Sequence, residues 1–583
     1  MNTGSTSSGK IPTDMISEKK LYLMTLSVVT RALVLLITIM LVMNCSGRLH
    51  TESQQSDQQQ YRAMVASAHP VASQVGIDIL KNGGNAVDAA LATAFALSIA
   101  EPNASGIGGG GFMIIKMADR KEPLMIDYRE SAPASATKAF FYENDKSFRE
   151  IMSMDPFAVG VPGLARCAEI LLDTHCSLSL KELLAPSIVL CERGIEVSPK
   201  LSGMITDNYE KISTYPSAMD IYLSDMLPLQ PGDTLRNPDL AASFRALGEN
   251  GADSFYLGET ANKIASAVKE HGGLMEATDL IDYKAIKRTP VSGSYRGYQI
   301  ISSAPPSGGG THIIEMLNIL EGYDLERLGH NSTEYIHLLT ETMKMVYADK
   351  SRYAGDTDFV PVPVDSLISK KHAARLRRRI DFDRARYDYS PPDLIHGESG
   401  STSHLSVVDE YGNIVSLTQS INHWFGSGIV VPGTGILLND HLKDFSKSPD
   451  SPNAIEPGKR PTSSIAPTII LKDGAPFMTL GTPGGARIIS ALAQIIVNVI
   501  DFGMDMDQAI EAPRVHCLKS KLHLEGRIPE ATVSELKTLG HNVQLHSEYD
   551  NYFGGAQGIL IDSQNETLQG GADSRRDGVA IGY

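Results

Sequence analysis

The order of apolar and polar residues predicts alternating helices and strands after an N-terminal segment of different character. The Ala- and Leu-rich stretch Asn85–Ala100 is typical of a helix, with Asn85 as its N-cap and Asp88 in its first turn. Pro102 follows the helix, and a glycine run then leads into an apolar strand at Phe112–Met117. Residues 160–380 are predicted to be mostly helical.

Strands dominate the pattern beyond residue 400. The predicted strands are His404–Asp409, Ile414–Ser420, Ile429–Val431, Thr468–Leu471 and Phe477–Leu480. A helix from Ala486 to about Phe502 follows them. No repeat of solenoid period is visible, so the pattern favours a mixed fold of helices and sheets.

The first 46 residues have the pattern of a targeting segment. Basic residues precede an apolar run, Ala32–Met43, which is short for a spanning helix of about 20 residues. We therefore expect 1–46 to be a signal peptide or a membrane anchor, and 47–64 to be a polar linker. Cys45 directly follows the apolar run and is a candidate for lipidation, the alternative being an unmodified cysteine. Each interpretation predicts a secreted, periplasmic or cell-surface protein, with or without a membrane or lipid anchor.

Composition narrows the classes of function. The chain of 583 residues carries 52 basic and 68 acidic side chains, a net charge of −16. This acidic balance argues against a nucleic-acid partner, because a phosphate backbone selects a basic surface. With 42% hydrophobic residues, the chain can form a large core. The five cysteines have no metal-ligand spacing, and we predict neither a metal site nor a cofactor.

One glycine-rich motif matches the dinucleotide-binding motif in its residue spacing but not in its structural context. Gly106, Gly108 and Gly111 have the G-x-G-x-x-G spacing. They follow a predicted helix and precede a predicted strand, whereas the phosphate-binding motif requires the reverse order. We therefore do not expect a dinucleotide cofactor.

The junction Gly400–Asp409 is the most informative segment, because a polar loop leads abruptly into a strand that starts with hydroxyl side chains. It resembles the processing site of the gamma-glutamyltransferases, members of the N-terminal nucleophile hydrolases. Further blocks between about Val65 and Tyr583 resemble the family in the same order. They are His69–Ser73, Gly83–Ala90, Glu101–Phe112, Asp127–Pro133, Gly435–Asp440, Lys443–Ser446, Arg460–Ser464, Gly481–Arg487 and Ala572–Gly578.

The resemblance implies a four-layer αββα sandwich, one α/β fold made from two products of self-cleavage. The precursor would cut itself between Ser401 and Thr402, giving a large subunit, 65–401, and a small catalytic subunit, 402–583, that stay together as a heterodimer. In this family the new N-terminal threonine supplies the nucleophile, and its α-amine acts as base. An α-amine has an ordinary pKa of about 7.7–8.0, which suits a base at neutral pH.

The resemblance also assigns the substrate contacts. Arg129 matches the residue that binds the glutamate α-carboxylate, and Asp444 the one that receives the α-ammonium group. Further matches are Asn422 for the glutamyl group, Ser463 and Ser464 for the carboxylate, and Gly484 and Gly485 for the oxyanion hole. Two positions depart from the family pattern: Ser420 replaces a threonine that orients the nucleophile, and His441 replaces a Gln or Glu that contacts the substrate amine.

The implied activity is that of a gamma-glutamyltransferase and glutathione hydrolase. The enzyme would transfer the gamma-glutamyl group of glutathione or a related compound to water, to amino acids or to peptides. Two alternatives remain open: an amidase or acylase of the same fold with another acyl donor, and an inactive surface-binding homologue.

Overall fold

The computed structural model describes residues 61–143, 145–389, 401–562, 565 and 567–583. The predicted targeting segment, Cys45 and most of the predicted linker lie outside the described residues. None of the helices in the described ranges has the length and apolar character needed to cross a membrane.

Two large β-sheets form the centre of the fold. Their thirteen strands are β1 (Met64–Ser67), β2 (Gly110–Lys116), β3 (Leu124–Asp127), β4 (Ile286–Arg288), β5 (Val291–Tyr295), β6 (Tyr298–Ser302), β7 (Ser403–Val408), β8 (Ile414–Ser420), β9 (Thr468–Lys472), β10 (Ala475–Gly481), β11 (Gln557–Asp562), β12 (Thr567–Ala572) and β13 (Val579–Gly582).

The first sheet has the order β13-β1-β7-β8-β2-β3-β4, and the second has the order β12-β11-β10-β9-β6-β5. The neighbouring strands of both sheets are antiparallel. In the first sheet β7 lies between β1 and β8, with Ser67 opposite Leu405 and Ser403 opposite Gln419. The first strand after Thr402 is therefore hydrogen-bonded on both of its edges.

Helices cover the outer face of each sheet. Those on the first sheet's side are α1 (Pro70–Lys81), α2 (Ala86–Ala100), α3 (Leu180–Arg193) and α4 (Pro238–Asn250). Those on the second sheet's side are α5 (Gly309–Leu320), α6 (Thr333–Tyr353) and α7 (Arg487–Ile500). Since the sheets pack face to face between these helices, the predicted αββα sandwich is confirmed.

The remaining helices and strands are short and lie mostly outside these layers. The helices are Lys138–Tyr142, Phe148–Ser153, Leu164–Leu172, Pro199–Asp207, Tyr209–Ile212, Pro216–Tyr222, Asp253–Tyr256, Gly258–Glu270, Ala277–Asp282, Leu325–Leu328, Val364–Leu367, Lys370–Arg377, Met506–Glu511 and Glu530–Thr538. Three 3-10 turns are Asp155–Ala158, His441–Asp444 and Asn551–Phe553. The strands are Ile195–Glu196, Leu223–Ser224, Leu227–Pro228, Thr234–Leu235, Val430–Val431, Ile436–Leu437, Val515–Cys517, Lys521–Leu524 and Asn542–Leu545.

The local sequence accounts for the most buried helix. Every residue of α2 is buried, so the helix is apolar on all its faces. The Asn85 side chain accepts hydrogen bonds from the N–H groups of Val87 and Asp88, and Asp88 accepts one from the Asn85 N–H. This capping box satisfies the first N–H groups of the helix and confirms the predicted N-cap.

The region 160–380 is less uniformly helical than expected. It contains β4, β5 and β6, three strands of the two central sheets. The tight turn between β5 and β6 is formed by Arg296 and Gly297, both with positive φ. Such a hairpin depends on pairing with β9 rather than on a strong local apolar pattern, which explains why the sequence did not reveal it.

Candidate active site

Thr402 lies at the start of β7 with a strained backbone. The φ angle of Thr402 is +119°, a conformation that a β-branched residue rarely adopts. Arg576 Nη1 donates a hydrogen bond of 2.8 Å to the Thr402 carbonyl oxygen. The bond that was predicted to be cut therefore precedes a residue with a strained φ angle. The carbonyl group of that residue is held by Arg576.

The Thr402 hydroxyl is oriented by Ser420 at the end of β8. Thr402 Oγ1 donates to Ser420 Oγ over 3.0 Å, and Ser420 Oγ also accepts from the Asn422 backbone N–H at 2.9 Å. Both hydroxyl side chains are almost fully buried. The Ser401 hydroxyl donates to the Asn422 carbonyl, and the Asn422 amide donates to the Asp440 carbonyl at 3.1 Å. These contacts tie the scissile segment to the loop after β8.

Arg129 and Asp444 meet in the same pocket as Thr402. Arg129 Nη2 and Asp444 Oδ2 are 2.5 Å apart, although the two residues are distant in sequence. The Arg129 guanidinium is completely buried, whereas 27% of the Asp444 side chain is exposed. Two charges of opposite sign therefore lie together in the pocket, and each can exchange its partner for one end of a zwitterionic amino acid.

A buried ionic network holds the backbone before Arg129. Asp127 forms ion pairs with Arg460 Nη1 at 2.5 Å and with Arg288 Nε at 2.7 Å, and it accepts the Arg129 N–H at 3.0 Å. The Tyr283 hydroxyl donates to the Arg129 carbonyl at 2.9 Å. Because these contacts come from several separate segments, they define the direction from which the Arg129 side chain enters the pocket.

Asp440 organises the segment that carries Asn422 and Asp444. Its carboxylate lies 2.9 Å from His423 Nδ1 and 3.0 Å from Lys443 Nζ. Burial opposes ionisation of Asp440, but His423 and Lys443 outweigh burial and hold its pKa well below the ordinary value. The negative charge of Asp440 in turn raises the pKa of His423. Asp440 thus anchors both ends of the segment that carries Asn422 and Asp444.

His441 lines the pocket but has an internal partner. Its Nδ1 lies 2.8 Å from Glu130 Oε1, and both side chains are almost completely buried. The sequence predicted a contact between His441 and the substrate amine and did not anticipate Glu130. Because its Nδ1 faces Glu130, this nitrogen of His441 is not free to contact the substrate.

Of the remaining predicted residues, Ser463, Ser464 and Gly485 line the pocket, and Gly484 directly precedes Gly485. Ser463 Oγ accepts from the Ile465 N–H at 3.0 Å, which leaves its own hydrogen available for an anion. Ser464 lies beside it in the pocket lining. Gly484 and Gly485 have φ angles of +132° and +56° and directly precede α7. No hydrogen-bond acceptor faces either of their N–H groups within the described ranges, and the N-terminus of α7 adds a positive dipole there.

Glu101 contacts two residues next to Thr402, Ser403 and Arg576. Its carboxylate accepts a hydrogen bond from the Ser403 hydroxyl and lies 3.3 Å from Arg576 Nη1, the group that holds the Thr402 carbonyl. Burial raises the pKa of Glu101 to about 7, against the opposing effect of Arg576. The sequence blocks contained Glu101 and Arg576 but gave neither of them a role.

Lys350, Tyr347 and Asn453 also line the pocket and were missed. Lys350 and Tyr347 lie on α6, where no motif distinguishes them from other helical residues. Asn453 donates to the Asp444 carbonyl at 2.7 Å and accepts the Thr462 N–H at 3.0 Å, so it links the two loops of the pocket. Such contacts depend on loop conformation and leave no sequence pattern.

Two clusters elsewhere have side chains of the kind that bind metals, but neither lines this pocket. His337 and His541 are hydrogen-bonded to each other at 2.7 Å, next to Glu341. In the second cluster, Glu315 and Asp349 lie 3.1 Å and 2.8 Å from His372 Nε2. The four cysteines in the described ranges are free thiols.

The four-layer fold is that of the N-terminal nucleophile hydrolases, and comparison with known proteins identifies the family. The chain belongs to the gamma-glutamyltranspeptidase family, whose profile matches residues 72–583. The chain is 41% identical over 542 residues to a glutathione hydrolase proenzyme of Bacillus subtilis, covering 89% of this chain and 91% of that protein. It is 40% identical over 528 residues to the Acylase ACY 1 proenzyme of a Pseudomonas species, covering 89% and 93%. The crystal structure of a cephalosporin acylase from Bacillus halodurans superposes with a TM-score of 0.82 at 30% identity, covering 92% and 98%.

Proposed function

We propose that this protein is a self-processing gamma-glutamyltransferase with glutathione hydrolase activity. The observation that carries the proposal is the Arg129–Asp444 pair in the pocket of Thr402. An acyl donor with a free α-carboxylate and α-ammonium group fits this pair, with the carboxylate on Arg129, Ser463 and Ser464 and the ammonium group on Asp444.

Processing starts with attack by Thr402 Oγ1 on the carbonyl carbon of Ser401. The amide C–N bond breaks, the nitrogen gains a proton and becomes the α-amine of Thr402, and an ester joins the two residues. Water then hydrolyses the ester, leaving a carboxylate on Ser401. The strained φ of Thr402 favours this rearrangement, because removing the peptide bond removes the constraint on that angle.

Catalysis uses the new terminus. The Thr402 α-amine accepts the proton of Oγ1, which attacks the γ-carbonyl carbon of the donor. The N–H groups of Gly484 and Gly485 stabilise the negative oxygen. The C–N bond of the donor breaks, and the leaving amine takes the proton. Water or the amine of an amino acid or peptide then attacks the gamma-glutamyl ester on Thr402 and regenerates the enzyme.

The cut chain is proposed to remain a heterodimer of 65–401 and 402–583. The N-terminal pattern supports export to the periplasm, the cell surface or the medium, with residues 1–46 as a signal peptide or anchor. Loss of export after deletion of residues 1–46 would support this location. If the full-length protein stays in the cytoplasm, this location is contradicted.

The test uses the chain without residues 1–46, a denaturing gel and a chromogenic gamma-glutamyl anilide. We expect two fragments and release of the aniline from the parent chain, and neither from Thr402→Ala. Ser403→Ala is the matched control, because it removes the neighbouring hydroxyl and should still give two fragments. An uncut parent chain would refute the mechanism.

A second candidate is an acylase with a different donor, favoured by the similarity to the Pseudomonas acylase. Two fragments without hydrolysis of gamma-glutamyl anilides would favour this candidate. Amides of dicarboxylic acids that lack the α-amine should then be tried, because such donors would leave Asp444 unused.

A further inference from the structure

Lys350 is a cation of the catalytic pocket that the proposed mechanism does not use. It lies near the end of α6, one turn after Tyr347, and both residues line the pocket. The Tyr347 hydroxyl donates to the Ala486 carbonyl at 2.6 Å, beside Gly485. The face of α6 that carries Lys350 is therefore fixed against the wall proposed as the oxyanion hole.

The stem of the Lys350 side chain crosses the backbone of Gly308. A Cβ atom built on Gly308 would lie 3.3 Å from Lys350 Cε and 3.5 Å from Lys350 Cγ. The Gly308 N–H donates to the Ser463 carbonyl at 2.9 Å. Gly308 therefore packs against the Lys350 side chain, next to the segment that carries Ser463.

The Lys350 ammonium group has neither a hydrogen bond nor an ion pair with any residue that the structure describes. Arg129 and His441, which line the same pocket, each have a partner: Arg129 contacts Asp444, and His441 contacts Glu130. Burial is the main cause that lowers the pKa of Lys350 to about 8; Asp444 opposes this shift, and Arg129 contributes to it. At neutral pH the group is still mostly charged, and a carboxylate ligand would offset its poor solvation.

We propose that Lys350 is a specificity-determining residue that binds a carboxylate on the leaving group of the donor, or on the acceptor amine. The proposal rests on the proposed function. The α-carboxylate of the glutamyl group already has Arg129, Ser463 and Ser464. The remaining anion of a gamma-glutamyl peptide such as glutathione is the carboxylate of the departing amine, and an acceptor amino acid or peptide carries the same group.

Two donors that differ only on the leaving side provide the test: gamma-glutamyl-4-nitroanilide and gamma-glutamyl-3-carboxy-4-nitroanilide. For Lys350→Met we expect kcat/KM for the carboxylated donor to fall about ten- to hundredfold more than kcat/KM for the neutral donor, since only the carboxylated donor loses a hydrogen bond to a charged group. Lys350→Arg should keep most of the preference. Lys371→Met, which removes an exposed lysine outside the pocket, should change neither ratio.

A second comparison uses acceptors, an amino acid and its amide. Lys350→Met should lower transfer to the amino acid more than transfer to the amide. Equal losses for both donors and both acceptors would overturn the proposal and assign Lys350 to the α-carboxylate or to the fold. No loss at all would also overturn it. If the parent enzyme hydrolyses neither anilide, the proposed function fails and this proposal fails with it. If the parent hydrolyses the neutral anilide but Lys350→Met gives equal losses or no loss, only the proposal for Lys350 fails and the proposed function stands.

Discussion

Strain at Thr402 can be measured by comparing two variants that cannot cleave themselves. A residue with a Cβ atom at φ +119° is destabilised by about 1–3 kcal/mol, and glycine is not. Thr402→Ala and Thr402→Gly both lack the hydroxyl, so each should remain a single chain. Glycine loses about 0.5–1 kcal/mol more than alanine through chain entropy. The net expectation is that Thr402→Gly is at least as stable as Thr402→Ala, by roughly 0–2.5 kcal/mol.

The assay is denaturant unfolding of the two uncut proteins. Their free energies of unfolding are compared provided that both show the same slope against denaturant concentration. The matched control is Ala66→Gly in the Thr402→Ala background. Ala66 is a buried residue of β1, which pairs with β7. Its φ is not among the positive values, so glycine there should lower stability by about 0.5–1 kcal/mol. If Thr402→Gly is less stable than Thr402→Ala, as Ala66→Gly is expected to be relative to its own background, then Thr402 has no backbone strain and the account of processing is wrong.

Three further predictions concern neighbouring groups. Asp444→Asn should lower kcat/KM for a gamma-glutamyl anilide by an amount equivalent to about 2–5 kcal/mol, because it removes the charged partner proposed for the substrate's α-ammonium group; a loss below threefold would contradict this. Ser420→Ala should slow self-cleavage about three- to tenfold on a timed gel, whereas Ser420→Thr keeps the hydroxyl that accepts from Thr402 and should cleave normally. Burial raises the pKa of Glu101 from 4.5 to about 7, so the folded state favours the protonated form of this side chain. The free energy of unfolding of the parent, relative to that of Glu101→Gln, should therefore be highest below pH 4.5 and should fall as the pH rises through 7. Denaturant midpoints at pH 5 and pH 8 test this, and a difference that does not change with pH would refute it.

Local patterns predicted those parts of the fold whose stabilising contacts are also local. The helix after Asn85 follows from its capping box, and β8 was predicted with its observed bounds, Ile414–Ser420. The short strands β1 and β13 were not predicted, although they form one edge of the first sheet. Each has four residues, and both depend on pairing between opposite ends of the chain.

The same distinction applies to the site. Motif blocks located Arg129, Asp444 and the residues around Thr402, which the fold brings to one pocket. The partner of His441 could not be inferred, because Glu130 reaches it from a distant segment. Lys350 lies on a helix of ordinary composition, and its importance is visible only from its position and from its lack of a partner among the described residues.

The sheet order explains how the site would survive cleavage before Thr402. β7 is hydrogen-bonded to β1 from the N-terminal part and to β8 from the C-terminal part, so a new terminus remains held on both edges. Cutting removes the peptide bond before Thr402 but not the hydrogen bond from Arg576 to its carbonyl. Arg129 precedes the cut and Asp444 follows it, so the substrate pair spans both pieces. Separating the pieces would divide this pair, and activity therefore requires that they stay together.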